Sequence, residues 1–84
     1  MRLDKFLKVS RIIKRRTVAN EACDASHVSV NGRPAKASYE VKLGDEIEIA
    51  FGARRVRLRV RAIVESTKKA DAGEMYEILE SSES

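Results

Sequence analysis

The sequence predicts an α+β fold: one small domain with two N-terminal helices packed on a small, mainly antiparallel sheet. Three observations carry this. Apolar residues recur at helical spacing near the start, period-two alternation takes over after His27, and a chain of 84 residues has room for one compact core.

Leu3, Phe6 and Leu7, followed by Val9, Ile12 and Ile13, form an apolar stripe, so the opening stretch reads as a short amphipathic helix with its charges toward water. A second helix is expected to begin after Thr17, whose hydroxyl suits a cap on the first turn. It would run through VANEACDAS with Val18, Ala22 and Cys23 inward and end near Ser26.

Val28 and Val30 alternate with Ser29, and Asn31-Gly32 is a dipeptide favoured where a tight turn needs positive φ, which predicts a strand entering a hairpin. Pro34 cannot donate to a ladder, so RPAKAS is a sheet edge or an irregular connection. Tyr39 and Val41 are expected to close over the core. Leu43-Gly44-Asp45 turns into EIEIAF, and Gly52-Ala53 turns into RRVRLRVRAIV; both segments alternate as half-buried strands do. Paired as a hairpin, they would set Glu46 and Glu48 beside arginines of the second strand.

The remainder divides into a polar linker or helical turn, a closing strand at MYEIL and an acidic end expected to fray. Residues 1–64 are thus expected to form the domain, with a helical binding face over 1–26, and residues 65–84 a C-terminal extension.

Charge is distributed unevenly. Residues 1–16 carry seven bases and one acid, whereas residues 64–84 carry two bases and six acids. A basic end on a chain with an acidic other end is the footprint of a polyanion partner. No apolar run approaches the roughly 20 residues of a membrane-spanning helix, so a cytoplasmic protein without membrane contact is expected. Cys23 is the sole cysteine and most simply a core residue, and His27 is the sole histidine, which leaves no disulfide and no zinc cluster. No nucleophile–base pair, Gly-rich phosphate loop or paired carboxylates stand out, so neither an enzyme, a cofactor nor a metal is expected.

Arginine binds phosphate bidentately and stays charged, which makes Arg2, Arg11, Arg15 and Arg16 the leading candidates for contact with a phosphate-bearing polyanion. Arg2, Lys5 and Lys8 recur every three residues along one ridge, and Lys14 with Arg15 and Arg16 lies near the start of the second helix, where free amides also attract phosphate. Asp4 either orients a neighbouring arginine, accepts from a ribose hydroxyl or base amine, or is a first-turn acid favoured by the helix dipole. Thr17 is a cap, with a phosphate contact as the alternative reading. Ser10 shares that ambiguity. Lys36 is an exposed loop lysine or an extension of the footprint. His27 is a turn residue or a titrating switch, and Arg55, Arg57, Arg59 and Arg61 belong to a solvated strand or to a second polyanion-binding face.

In order, the basic RLDK opening, the helix pair with RRT between its members, VSVNG, the Lys36-bearing connection and GDEIEI resemble the S-four RNA-binding domain family, a small αL module, over about the first fifty residues. The string MRLDKFLKVSRIIKRRT, with STKKADAGEMYEIL near the end, is similar to the stand-alone RqcP family of bacterial ribosome-associated quality control. Heat-shock protein fifteen is the related alternative, usually with a longer basic C-terminal extension. Many family members place glycine after the second helix, where this chain has Ser26-His27.

The resemblance implies a factor on the large ribosomal subunit that still carries peptidyl-tRNA, and a monomer is expected. It would contact large-subunit rRNA and tRNA through the helical face and support template-free C-terminal alanine tailing by an RqcH-type partner. A general rRNA-binding or assembly factor and a protein-interaction module are the competing readings.

Overall fold

A computed structural model describes residues 1–64 and 72–83. Two helices, α1 (Leu3–Val9) and α2 (Arg16–Asp24), precede strands β1 (Val28–Val30), β2 (Arg33–Pro34), β3 (Glu46–Phe51), β4 (Arg54–Val60) and β5 (Tyr76–Glu83). The strands make one antiparallel sheet in the order β2-β1-β3-β4-β5. The polar linker expected at ESTKKAD lies outside the described residues.

Alternation decides which sheet face meets the helices. Val28 pairs with Ile49 and Val30 with Ile47, while Ile47 also faces Leu58, so these side chains form one apolar surface. It is buried against Leu3, Phe6 and Leu7 of α1, Ala19 and Cys23 of α2, and Ile13 between them. Cys23 is therefore a core residue, and burial, with Asp4 and Asp24 nearby, pushes its thiol up to about 11. The opposite face carries the alternating charges: Arg55 pairs with Glu48 at 3.3 Å, Arg57 with Glu80 at 3.3 Å and Arg59 with Glu46 at 3.6 Å.

Both turn expectations around β1 hold. Asn31 and Gly32 take φ of 53° and 85°, the conformation that a two-residue hairpin with right-handed strand twist requires. Pro34 sits in the edge strand β2, where a missing amide donor is tolerated. The strand expected at MYEIL is longer than its apolar run. It continues to Glu83, so the end expected to fray is paired with Arg54–Val56 of β4.

The helices differ from expectation at their ends. α1 stops at Val9, and Arg11 at φ 62° turns the chain away, so Ile12 and Ile13 reach the core from the connection. α2 starts at Arg16, one turn position before the expected cap, which places Thr17 inside the first turn and makes Arg15 the cap residue without a side-chain capping bond. Starting there turns Ala19 and Cys23 inward and leaves Val18 45% exposed, correcting its inward assignment.

At the other end of α2 Ser26 takes φ 64°, its N–H donates to Cys23 O, and the His27 N–H donates to Ala22 O. That is the paired 6→1 and 5→2 closure of a left-handed helix cap, built here without glycine. Because a Cβ is strained in this conformation, Ser26→Gly is expected to keep the fold and raise stability by up to about 1 kcal/mol in urea denaturation. A clear loss of stability would contradict the cap.

Candidate nucleic-acid interface

The site grows from the start of α1. Arg2 is extended, φ −67° and ψ 148°, and supplies no side-chain cap, so the first amides of α1 need other partners. They find them in the connection after β2: Leu3 N–H donates to Tyr39 O at 2.8 Å and Asp4 N–H to Ala37 O at 3.2 Å. This connection is itself anchored by the buried Asp45, whose carboxylate accepts from Tyr39 Oη at 2.9 Å, Lys42 N–H at 2.9 Å and Asn31 Nδ2 at 3.1 Å. Burial, the bond to Asp45 and its negative charge all raise the Tyr39 hydroxyl above its ordinary pKa.

Docked in this way, α1 points Asp4 at α2. The Asp4 residue is 2% exposed, yet both carboxylate oxygens are saturated. Oδ1 accepts from Lys5 N–H at 2.8 Å and Arg2 Nε at 3.2 Å, and Oδ2 accepts from Arg16 Nε and Asn20 Nδ2, both at 3.3 Å. Four donors fill about the four acceptor positions of a carboxylate. Of the readings open to Asp4, orientation of arginines is the one this geometry carries, with the helix-dipole benefit of a first-turn acid added.

The clamp consumes one nitrogen from each guanidinium. Arg2 and Arg16 spend Nε on Asp4 and keep both Nη groups without a partner among the described residues; each side chain is 49% exposed. Two half-exposed guanidinium ends are thereby held near one another, each fixed at Nε so that the terminal fork is free to meet phosphate oxygens.

The remaining candidates are distributed around this pair. Lys8, Arg11, Lys14 and Arg15 are exposed along the end of α1 and the connection to α2, and Lys5 is half-buried beside Asp4. Thr17 lines a concavity with Asp4, Arg16, Asn20 and Glu21, and does not cap α2. Ser10 is buried and donates to Leu7 O at 3.3 Å, which identifies a local structural bond. His27 and Lys36 are exposed outside the clamp. The ion pairs of Arg55, Arg57 and Arg59 set these residues apart on the outer sheet face.

Asn20 was not among the expected site residues. Its signal was available, since it stands one helical turn after Arg16, but its partner is sixteen residues away and only the packed helices bring them together. Electrostatics also mark the start of α2: it has no acid in its first turn, and Arg15 and Arg16 bring positive charge to the positive end of the helix dipole. Among the described residues, no group of His, Cys, Asp or Glu is placed to hold a metal ion, and no helix is long and apolar enough to cross a membrane.

Burial raises the Asp4 pKa, but the bonds from Asn20, Arg16 and the Lys5 amide, with the charge of Arg16, outweigh it, and the net shift is downward. The folded pKa is thus below the unfolded value of about 3.9, so this stabilisation is complete above that pH and is lost as pH falls through the folded pKa. A carboxyl-detected NMR titration is expected to place the Asp4 midpoint below that of an unstructured aspartate. A midpoint at or above it would contradict the clamp.

Residues 1–47 match the family model described as S4 domain. A Bacillus subtilis protein named RQC P-site tRNA stabilizing factor is 54% identical over 94% of this chain and 92% of its own. A Streptococcus pneumoniae protein of the same name is 54% identical over 94% of this chain and 90% of its own. Among solved structures, trimeric Heat Shock Protein 15 of Vibrio cholerae is similar with a TM-score of 0.87 at 28% identity, over 93% of this chain and 80% of that one. Two helices that carry the Arg2–Asp4–Arg16 clamp, a five-stranded antiparallel sheet and these matches agree: the chain belongs to the S4 domain family.

Proposed function

We propose that this protein is an RNA-binding factor of ribosome-associated quality control. It binds large ribosomal subunits obstructed by peptidyl-tRNA in the cytoplasm, contacts rRNA and tRNA through its helical face, and supports template-free alanine tailing by an RqcH-type partner. The observation that carries the RNA-binding part is the pair of arginines held on Asp4, with both terminal forks unpaired among the described residues. Near-full-length similarity to the stabilizing factors of Bacillus subtilis and Streptococcus pneumoniae supports the choice of RNA.

Structured RNA suits this surface. A-form helices offer phosphates and ribose hydroxyls where base edges of the deep groove are out of reach, so recognition favours fixed cations over a reading helix. Arg2 and Arg16 are the central contacts, with Lys5, Lys8, Arg11, Lys14 and Arg15 extending the field. Asp4 acts by positioning the two arginines. Phosphate beside the uncapped first turn of α2 would also relieve the unfavourable charge of Arg15 and Arg16 against the helix dipole.

Co-sedimentation tests the reading with vacant large subunits, peptidyl-tRNA-bearing large subunits, small subunits and free duplex RNA. Selective retention on the obstructed large subunit, lost in the Arg2→Ala/Arg16→Ala double variant, is expected. With a fixed RNA, log affinity is expected to fall with log salt by about 0.7–0.9 per phosphate neutralised, and each lost phosphate contact should flatten the slope by about one ion. Equal binding to every RNA would reduce the protein to a general RNA-binding module, and an unchanged slope in both single variants would remove the two arginines from the contact.

A further inference from the structure

Glu21 has no evident purpose on a surface built for phosphate. It is exposed on α2, makes no side-chain hydrogen bond or ion pair among the described residues, and lines a concavity with Arg16, Thr17 and Asn20 above the Asp4 clamp. Its helical neighbours four residues away, Thr17 and Ala25, carry no charge, so a stabilising pair along the helix is not its role. Beside a phosphate a free carboxylate is repulsive. Beside a base it is an acceptor for ring and exocyclic N–H groups.

The concavity has the dimensions and the mixed chemistry for a base. It is a solvent-open concavity of about 360 Å³, which a planar base can enter from the surface. Asn20 spends its amide nitrogen on Asp4, which leaves its Oδ1 as an acceptor, and Arg16 spends Nε there, which leaves its Nη groups as donors. Acceptors at Glu21 and Asn20 therefore stand beside donors at Arg16. Guanine is the base that matches both: N1–H and the N2 amine lie side by side as donors for one carboxylate, and O6 and N7 accept from a guanidinium. Adenine and cytosine offer a single exocyclic amine, and uracil a single ring N–H.

Resting on the RNA-binding reading above, we propose that the concavity between the start of α1 and the first two turns of α2 takes one unstacked guanine of the bound RNA, with the Glu21 carboxylate accepting from its Watson–Crick edge. Single-stranded loops and bulges, whose bases can be splayed out, are where proteins read RNA sequence. The arginine pair then supplies grip and the concavity supplies base choice.

The test uses the full chain and an RNA hairpin with one unpaired nucleotide, made as G, inosine, A, C and U versions, with affinity read by fluorescence anisotropy. Wild type is expected to bind the G hairpin about tenfold or more tightly than the A, C and U versions, with inosine, which lacks the N2 amine, falling between. Glu21→Gln is expected to abolish that preference while leaving affinity for the A, C and U hairpins unchanged or slightly raised, because a repulsive charge is gone. Equal wild-type affinity for all five hairpins, still lost in Arg2→Ala/Arg16→Ala, would overturn the guanine site and leave the RNA-binding reading intact. A Glu21→Gln chain that binds every hairpin more tightly by the same factor would also overturn it, making Glu21 a surface acid. Failure to bind any hairpin while obstructed large subunits are still retained would overturn the guanine site alone, and failure to bind either would overturn both.

Discussion

A carboxylate buried to 2% exposure holds this protein's functional surface together. Taken alone, burying the Asp4 charge is unfavourable, and an unpaired buried carboxylate would take up a proton. It stays ionised because four donors converge on it, from Arg2, Lys5, Arg16 and Asn20. The dependence is mutual. Without Asp4, two long arginine side chains would spread over many rotamers, and holding them for a ligand would cost side-chain entropy at the moment of binding.

Everything that positions Asp4 lies elsewhere in the chain. The sheet buries the apolar side of α1, and the connection from Lys36 to Asp45 supplies the carbonyls that receive the first amides of that helix. Asp45 holds the connection through Tyr39, Lys42 and Asn31, and Asn31 also receives the Glu46 amide at 3.0 Å, which ties the β1–β2 turn to the start of β3. Two acids thus organise the molecule: Asp45 fixes the loop that caps α1, and Asp4 uses the resulting orientation to bring Arg2 and Arg16 together. The Cys23 thiol and the outer sheet face contribute packing and local ion pairs, respectively.

The sheet was legible in the sequence because its signals are local. Period-two alternation in EIEIAF and RRVRLRV, and Asn31-Gly32 at the β1–β2 turn, need no knowledge of distant residues. The apolar stripe of α1 and the basic opening were legible for the same reason. What escaped is set by tertiary position. Thr17 is the best capping residue by type, but α2 begins where Arg16 can reach Asp4 and where Ala19 and Cys23 can be buried, so the cap falls on Arg15. Val18 is apolar and still faces water because the helix rotates to satisfy those contacts. The carbonyl cap on α1 uses backbone atoms and leaves no residue-type signature. The far end of β5 looks like a frayed tail by composition and is held as a strand by antiparallel pairing with β4, where Glu80 meets Arg57.

A positively charged surface gains affinity for RNA when an acid is removed from it, unless that acid organises the bases around it. Asp4→Asn separates the two cases, because it keeps the size of the side chain, adds one unit to the net charge and takes away the charged acceptor of both arginines. The decisive measurement is the affinity of the Asp4→Asn chain for peptidyl-tRNA-bearing large subunits, taken at fixed salt beside wild type, with folding checked by circular dichroism. Weaker binding by a folded, more positive protein is the predicted result; equal or tighter binding would mean that charge alone, without the clamp, accounts for the interface.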